Sequence, residues 1–285
     1  MILANPHAGP RGHRRRLHEL VDALHARGLT AELCWQRDAL GDRVGAAGDR
    51  LRCVVAAGGD GTLNEVLNRA PGAPVALLPI GTENLMARYF RLDRAVARTA
   101  EAIATAPVRR FDLARIDGRY FSLMAGFGID ARVVHDVHRW RQGHITRLSY
   151  VLPIARAITS YRFPPIEVVV EDTGERLVGA TVFLFNFPVY GMRLQLGRDA
   201  RPDDGALDLV VFERSGLLNL ARYLTAALFG RHTALPDVQH RRVRRVRLSS
   251  ARDVPVQTDG DPAGVLPVTV EVVPAAFGLL LPSST

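Results

Sequence analysis

The first third of the chain alternates between two spacings of apolar residues. Short apolar runs such as Arg52–Ala57 predict strands, and apolar residues three or four positions apart, as within His13–Arg27, predict helices. The predicted strands are Met1–Ala4, Leu29–Trp35, Arg52–Ala57 and Val75–Leu78, and the predicted helical segments are His13–Arg27, Ala39–Asp49, Thr62–Arg69 and Glu83–Ala106. This order predicts that residues 1–110 form an α/β domain on an open parallel sheet.

From Val108 the pattern changes to short strands that are separated by turn sequences. Residues typical of hairpin turns occur at Asp117-Gly118, Asp172-Thr173-Gly174, Asp204-Gly205 and Asp259-Gly260. Helical spacing interrupts them at Ala131–Trp140, Arg147–Tyr161 and Leu217–Phe229. Residues 111–274 are therefore predicted to form a mostly antiparallel, β-sandwich-like domain. The last apolar run, Ala276–Leu281, predicts a strand that returns to the first domain and joins residues 275–285 to it.

The composition narrows the class of protein. The chain has 285 residues, of which 47% are hydrophobic, and this is enough for two domains with their own cores. No apolar run is as long as a membrane span, and the N-terminus does not resemble a signal peptide, so we expect a cytoplasmic protein. The two cysteines, Cys34 and Cys53, lie in apolar runs and are predicted to be buried thiols rather than a disulfide or a metal site.

The charge is unusual because all 37 basic residues are arginine and the net charge is +8. A P-loop lysine, a protein-kinase lysine and a Schiff-base lysine are excluded, so backbone N–H groups, arginine or a metal must hold any phosphate. Arginines are densest over Arg241–Arg247, which indicates either a solvated strand face or attraction to an anionic membrane. No nucleic-acid motif accompanies them, so we expect no nucleic-acid partner.

The sequence Gly58-Gly59-Asp60-Gly61-Thr62 follows a predicted strand and precedes a predicted helix. Glycines let backbone N–H groups approach a ligand, and the N-terminus of a helix favours phosphate. Asp60 suits a Mg²⁺ ion beside that phosphate, and Thr62 with Glu65 has the spacing of a capping box. The alternative is an ordinary turn in which Asp60 and Thr62 only cap the helix.

Two further turns have the same position after a strand. In Pro79-Ile80-Gly81-Thr82-Glu83-Asn84, the side chains of Thr82 and Asn84 can bind phosphate or adenine, or only cap the helix. In the turn Asn5-Pro6-His7-Ala8-Gly9, Asn5 and Gly9 can complete a nucleotide crevice. Turns at the carboxyl ends of neighbouring parallel strands face one crevice, which is where open α/β sheets bind ligands.

These motifs together resemble one family. NPHAG, GGDGTLNEV, PIGTENLMAR, DDGALDL and TDGD occur in the order seen in the diacylglycerol kinase catalytic-domain family, which includes bacterial lipid kinases and sphingosine kinases. The resemblance covers nearly the whole chain, and GGDGT followed directly by LNEV is highly specific. It implies an ATP-dependent lipid kinase with ATP in a cleft between two domains and the lipid hydroxyl approaching from the second domain.

The resemblance also implies roles for particular residues. Gly58 to Asn64, including Gly61, and also Gly81, Thr82 and Asn84 would bind ATP, and Asp60 would organise the catalytic Mg²⁺. Asp204, with the carbonyls of Arg201 and Ala206, would hold a structural Mg²⁺; a plain turn is the alternative. Asp130 would contact the lipid headgroup or cap a helix. Asp261 would be the general base, although the family usually has glutamate at that position.

Other functions remain open at this point. An NAD kinase-like enzyme would share GGDGT but would need a polar acceptor, and a nucleotide-binding regulatory protein would have lost catalysis when glutamate became Asp261. An oxidoreductase fits less well, since the first turn lacks the G-x-G-x-x-G pattern. A lipid substrate predicts peripheral association with the inner face of the membrane. The sequence leaves open whether the chain forms a homodimer.

Overall fold

The computed structural model describes residues 1–4, 13–139, 160–191 and 196–282. The chain divides into two compact units, one of Met1–Phe111 with Ala275–Thr285 and the other of Asp112–Pro274. The first boundary lies one residue beyond the predicted position, and the second coincides with it. Both fall inside long strands, which explains why no linker sequence marks them.

The first unit is an α/β layer around a parallel sheet. Its strands are β1 (Ile2–Ala4), β2 (Leu33–Cys34), β3 (Val54–Gly58), β4 (Val75–Pro79) and the end of β16 (Val268–Leu280), in the order β2-β1-β3-β4-β16. β3 and β4 are buried at every position, as expected for strands covered on both faces. The returning strand is confirmed, since Leu279 pairs in parallel with Val75.

Among its described residues, this unit has five α-helices: α1 (His13–His25), α2 (Leu40–Ala47), α3 (Asp60–Arg69), α4 (Leu85–Tyr89) and α5 (Val96–Thr105). The segment predicted as one or two helices over Glu83–Ala106 is two. The strand predicted over Leu29–Trp35 contains only two residues. Leu17 and Leu20 of α1 are fully buried in a core with Ile2 and Val55, so the apolar spacing located this core correctly.

The second unit has two antiparallel sheets around one core. One sheet has the order β12-β11-β10-β7-β14-β15, and the other contains β16, β13, β8 and β9, with β5 and β6. The strand bounds are β5 (Val108–Ile116), β6 (Arg119–Phe121), β7 (Met124–Phe127), β8 (Ile166–Val170), β9 (Arg176–Gly179), β10 (Thr181–Phe185), β11 (Leu207–Phe212), β12 (Val238–Val243), β13 (Arg245–Ser249), β14 (Pro255–Thr258) and β15 (Asp261–Val265). One apolar cluster takes side chains from both sheets, which confirms the predicted sandwich.

Two helices of this unit lie in the described residues, α6 (Ile129–Arg139) and α7 (Leu217–Leu228). Most of the predicted helix Arg147–Tyr161 lies outside the described residues. Three of the predicted hairpin turns join adjacent strands: Asp117-Gly118, Asp172-Thr173-Gly174 and Asp259-Gly260. The fourth prediction was wrong, because β10 ends at Phe185 and β11 begins at Leu207, so Asp204-Gly205 is not a tight turn that joins the two strands.

Two predictions from composition can be checked directly. Within the described ranges, no helix is long and apolar enough to cross a membrane. Cys34 and Cys53 are free and buried, and burial raises the pKa of the Cys53 thiol to about 11. Both cysteines therefore pack as small apolar side chains.

Candidate functional site

The two glycine turns of the first unit lie at the same edge of its sheet. β3 and β4 run parallel, and Gly58 at the end of β3 pairs with Pro79 at the end of β4. The Gly81 N–H donates to the Gly58 carbonyl oxygen at 3.2 Å, which joins one turn to the other. The two turns are therefore neighbours, as the sequence predicted.

The turns touch backbone to backbone. A Cβ atom on Gly81 would lie 2.5 Å from the Gly59 Cα and 2.7 Å from Asn84 Oδ1, and real Cβ atoms do not tolerate such distances. Gly58 is restricted in another way, because a Cβ atom there would lie 2.0 Å from Thr62 Oγ1. Glycine at 58 and 81 is thus required by close packing as well as by the ligand access that the sequence suggested.

Asp60 fastens the second turn to the first. Its carboxylate accepts hydrogen bonds from the Leu85 N–H at 2.9 Å and the Met86 N–H at 3.1 Å, and so caps α4. Burial raises the pKa of Asp60, and these two donors act in the opposite direction. The sequence predicted that Asp60 organises Mg²⁺ beside a phosphate, with helix capping as the alternative. In the structure this carboxylate caps α4, and its role with Mg²⁺ stays a prediction.

The predicted capping box of Thr62 and Glu65 was wrong. α3 begins at Asp60 with Gly59 as its N-cap, so Thr62 is the third helical residue and is buried. Glu65 instead forms ion pairs with Arg69 at 2.5 Å and Arg37 at 3.3 Å, and these interactions lower the pKa of Glu65. The helix therefore starts three residues earlier than the capping pattern indicates.

Two buried acceptor atoms belong to residues near these turns, one in α3 and one at the N-cap of α4. Within the described residues, Asn64 Oδ1 and Asn84 Oδ1 have no hydrogen-bond partner, although Asn84 Nδ2 donates to the Gly81 carbonyl at 2.7 Å. Asn84 is in the left-handed region with a φ of 49°, which aspartate and asparagine tolerate best. Thr82 is exposed. Asn5 and Gly9 lie outside the described residues.

In the second unit, Asp259 locks the β14–β15 hairpin. Its carboxylate accepts hydrogen bonds from the N–H groups of Ser122, Leu123 and Met124 at 2.7–2.9 Å and from the Ser122 hydroxyl at 3.0 Å. Burial is the largest influence on its pKa and raises it, while the four donors lower it. The residue has a φ of 50°, so this turn is held in a fixed conformation.

The predicted base, Asp261, follows that turn at the start of β15. Its side chain is 54% exposed, and His138 Nε2 of α6 lies 3.4 Å from Asp261 Oδ1. The same His138 nitrogen is 3.2 Å from the Gly260 carbonyl oxygen. The structure therefore presents Asp261 at the surface of its unit on a rigid turn with a histidine beside it.

Asp130 belongs to a network within the second unit. Its carboxylate accepts hydrogen bonds from the Tyr190 hydroxyl and from Gln257 Nε2, the latter at 2.7 Å. Gln257 Oε1 in turn accepts a bond from the Gly260 N–H at 2.9 Å. Burial raises the pKa of Asp130, and both of its donors oppose that shift. These contacts link Asp130 to the hairpin of Asp261, and a contact between Asp130 and a lipid headgroup stays a prediction.

Asp204, the side chain predicted to bind a structural magnesium, forms hydrogen bonds within the protein, and the metal site stays a prediction. Asp204 Oδ2 accepts a hydrogen bond from the Arg242 guanidinium, and Asp204 Oδ1 accepts one from the Ala206 N–H at 3.1 Å. The guanidinium supplies the positive charge that an ion would bring. Arg201 is exposed at the start of this turn. Among the described residues, no group of three or more His, Cys, Asp or Glu side chains is arranged to hold a metal.

The arginines of Arg241–Arg247 are largely paired with carboxylates. Arg241 pairs with Glu175 at 2.9 Å, Arg242 with Asp204, and Arg245 with Glu171 at 2.9 Å. A solvated face of β12 and β13 accounts for these three side chains. Membrane attraction by this stretch stays a prediction.

The sequence reasoning missed several members of these networks, namely Ser122, His138, Tyr190 and Gln257. One of them left a usable signal. Gln257 follows the apolar residues Val254 and Val256 and precedes the predicted turn Asp259-Gly260, and in the structure it is only 2% exposed. A polar residue at a core position needs hydrogen-bond partners. The other three could not be found, since their partners are distant in sequence.

Comparison with known proteins agrees with this architecture. The family model of the diacylglycerol kinase catalytic domain matches residues 1–116, and that of the YegS C-terminal NAD kinase beta sandwich-like domain matches residues 124–281. The chain is 27% identical over 280 residues to the diacylglycerol kinase of Staphylococcus saprophyticus and 27% identical over 277 residues to that of Bacillus subtilis; each match covers 93% of this chain and 90% of the relative.

A solved structure shows the same fold. The crystal structure of a diacylglycerol kinase from Bacillus anthracis strain Sterne superposes with a TM-score of 0.73 at 22% identity, and the match covers 98% of this chain and 96% of that one. The two units and the glycine turns thus define a phosphotransferase with an alcohol acceptor. The chain belongs to the diacylglycerol kinase catalytic family.

Proposed function

We propose that this protein transfers the γ-phosphoryl group of ATP to the hydroxyl of a lipid such as diacylglycerol. The observation that carries the proposal is the contact between Gly59 and Gly81, fastened by Asp60. This contact brings two glycine-containing turns together at the carboxyl ends of two parallel strands, and such turns suit phosphate groups. The relatives named above are diacylglycerol kinases, which supports the choice of acceptor.

The residues present fit a nucleotide. A chain without lysine must hold phosphate with backbone N–H groups, arginine or a metal, and the N-terminus of α3 supplies N–H groups beside Gly59. The unpartnered oxygens of Asn64 and Asn84 suit N–H or O–H donors of a bound nucleotide. Each oxygen of Asp60 accepts one backbone hydrogen bond, and a carboxylate oxygen has a second lone pair. Asp60 would hold Mg²⁺ through those remaining lone pairs, and that ion would neutralise charge on the phosphates.

Asp261 is the base in this proposal. A lipid hydroxyl must lose its proton during transfer, and an exposed carboxylate on a rigid turn can accept it. Aspartate is one methylene shorter than the usual glutamate of the family, so the carboxylate of Asp261 lies closer to the backbone of the turn than a glutamate carboxylate would.

A labelled-ATP assay tests the acceptor. We expect transfer to diacylglycerol or another lipid alcohol, and none to NAD. Transfer to NAD alone would instead establish the NAD kinase-like alternative, and ATP binding without transfer to any acceptor would indicate a regulatory protein.

The role of Asp261 is tested by a pair of substitutions. Asp261→Asn should lower the rate by about 10²–10⁴-fold while ATP affinity and thermal midpoint stay unchanged, because only the proton acceptor is lost. Asp261→Glu should keep or raise the rate. An unchanged rate in Asp261→Asn would place the base elsewhere.

A further inference from the structure

The solvent-facing side of α7 is apolar. Five of the nine large hydrophobic side chains that are exposed in the described residues belong to this helix or its C-cap; these are Leu217, Leu218, Leu224, Leu228 and Phe229. With Ala221 and Thr225, which are also exposed, they fall on one arc of about 140° around the helix axis at 100° per residue. These seven residues form what we call the α7 face.

The α7 face carries no charged side chain. Its one polar residue, Thr225, donates its hydroxyl to the Ala221 carbonyl at 2.8 Å, which satisfies that hydroxyl within the helix. A stripe of this size is unusual on a monomer exposed to water and generally marks an interaction surface.

The opposite side of the helix is firmly attached to its own unit. Tyr223 is buried against Phe212 with ring centroids 4.7 Å apart, and its hydroxyl donates to Asp237 Oδ2 at 2.7 Å. Arg222 also pairs with the buried Asp237. One side of α7 therefore packs against its own unit, and these contacts hold the helix in place with its apolar side toward solvent.

Basic residues flank the face at both ends. Arg231, which is exposed, follows the helix, and Arg214 precedes it with a side chain that is 65% exposed and pairs with the Asp237 carboxylate at 3.3 Å. The neighbouring acid, Glu213, accepts a hydrogen bond from Gln239 at 2.9 Å on β12. An apolar stripe with arginines beside it matches the composition of helices that lie in the interface of an anionic bilayer.

We propose that the α7 face docks this protein on a bilayer that contains anionic lipids. The inference rests on the proposed lipid substrate, which resides in such a bilayer. A second copy of the chain is a poorer occupant, because two chains of net charge +8 repel each other. A single helix of 12 residues, about 18 Å long, is also small beside the surface that a stable dimer buries.

A fluorescent probe tests the location of the contact. Both native cysteines are buried, so a thiol-reactive, environment-sensitive dye will label Leu218→Cys selectively. Its emission should shift to the blue on equimolar phosphatidylcholine–phosphatidylglycerol vesicles, and the shift should shrink as salt rises. Val178→Cys on β9 is the matched control, since Val178 is apolar and 56% exposed, and it should show no shift. Equal shifts at both positions, or none at position 218, would overturn the proposal.

A double substitution tests whether the α7 face contributes to vesicle binding. Leu218→Glu with Leu228→Glu should weaken binding to these vesicles by roughly tenfold or more, whereas Val178→Glu should leave it unchanged. Analytical ultracentrifugation of the same proteins reports the oligomeric state. If the double variant only converts a dimer to a monomer and binds vesicles as before, the α7 face is an interface between copies and the proposal fails.

Activity separates this inference from the proposed function. On a short-chain, water-soluble diacylglycerol the double variant should match the parent, and on diacylglycerol in vesicles it should be slower by the same factor as its loss of binding. A parent protein that phosphorylates neither acceptor refutes the proposed function, while the vesicle-binding comparison still decides whether the α7 face contacts lipid.

Discussion

The side-chain carboxylates of Asp60 and Asp259 both accept hydrogen bonds from the backbone of another segment of the chain. Asp60 binds the Leu85 and Met86 N–H groups, and Asp259 binds those of Ser122, Leu123 and Met124. Each joins a turn to a part of the chain that lies 25 to 137 residues away in sequence. Asp60, which the sequence predicts to be catalytic, and Asp259, which it predicts to form a turn, thus also fix the geometry of their turns.

The Asp259 contacts can be tested by comparing two substitutions. Asp259→Ala should lower the free energy of unfolding by about 3 kcal/mol, because it leaves buried N–H groups without an acceptor. Asp259→Asn should cost less, since asparagine accepts with one atom and tolerates the φ of 50°. Urea denaturation measures both. Equal stability of the alanine variant and the parent would show that these donors are satisfied by water instead.

At the scale of elements, the glycine turns act as a pair. The sequence predicts that both turns lie at the end of parallel strands, and the structure adds that Gly59 and Gly81 leave no space between them. Gly61 differs from them, because a Cβ atom there would meet no atom within 4 Å. Close packing therefore requires glycine at some positions of the two turns, such as 81, but not at 61.

This difference gives a matched pair of variants. Gly81→Ala should destabilise the protein by about 1–3 kcal/mol through overpacking, and it should weaken ATP binding because the turns separate. Gly61→Ala should leave stability unchanged or raise it by up to about 1 kcal/mol, since alanine favours the helix. Thermal denaturation and nucleotide titration measure the two effects. If Gly81→Ala binds ATP as the parent does, the contact between the turns is not needed for the nucleotide.

At the scale of the whole molecule, charge pairing changes what the arginine excess means. The net charge of +8 suggests an anionic partner, and the sequence alone favours Arg241–Arg247, where arginines are densest, as the surface that binds it. Three of those arginines are paired with carboxylates, and Arg214 beside the α7 face is paired as well, so the exposed apolar side chains are what distinguish the α7 face. The position of these apolar side chains, which only the fold reveals, makes the α7 face the candidate surface.

The pairing of Arg242 with Asp204 also bears on the stability of the whole chain. A structural ion present at 100 times its Kd would add about 2.7 kcal/mol to the free energy of unfolding. We expect the thermal midpoint of the native sequence not to rise with Mg²⁺, because Arg242 already neutralises Asp204. Arg242→Gln should make it responsive, and adding Asp204→Asn should remove the response. A Mg²⁺-dependent rise in the native sequence that Asp204→Asn abolishes would restore the metal site.

The sequence by itself determined the division into an α/β unit and an antiparallel β unit, the returning strand at Ala276–Leu281 and the family. These features depend on apolar spacing and on turn residues that act locally, so they are written in short stretches of sequence. The close backbone contact of the glycine turns was partly implied, since parallel strands bring their carboxyl ends to one edge.

Only the tertiary structure decided which partner each polar side chain has. Asp60 capping α4, Asp130 bonding Gln257, Asp204 pairing with Arg242 and His138 standing beside Asp261 join residues between 25 and 127 positions apart. A hydrogen bond or an ion pair depends on distances of a few ångströms, and these are set by how strands and helices pack. Apolar burial tolerates many partners, whereas a carboxylate needs particular donors, and for that reason the core was predictable and the networks were not.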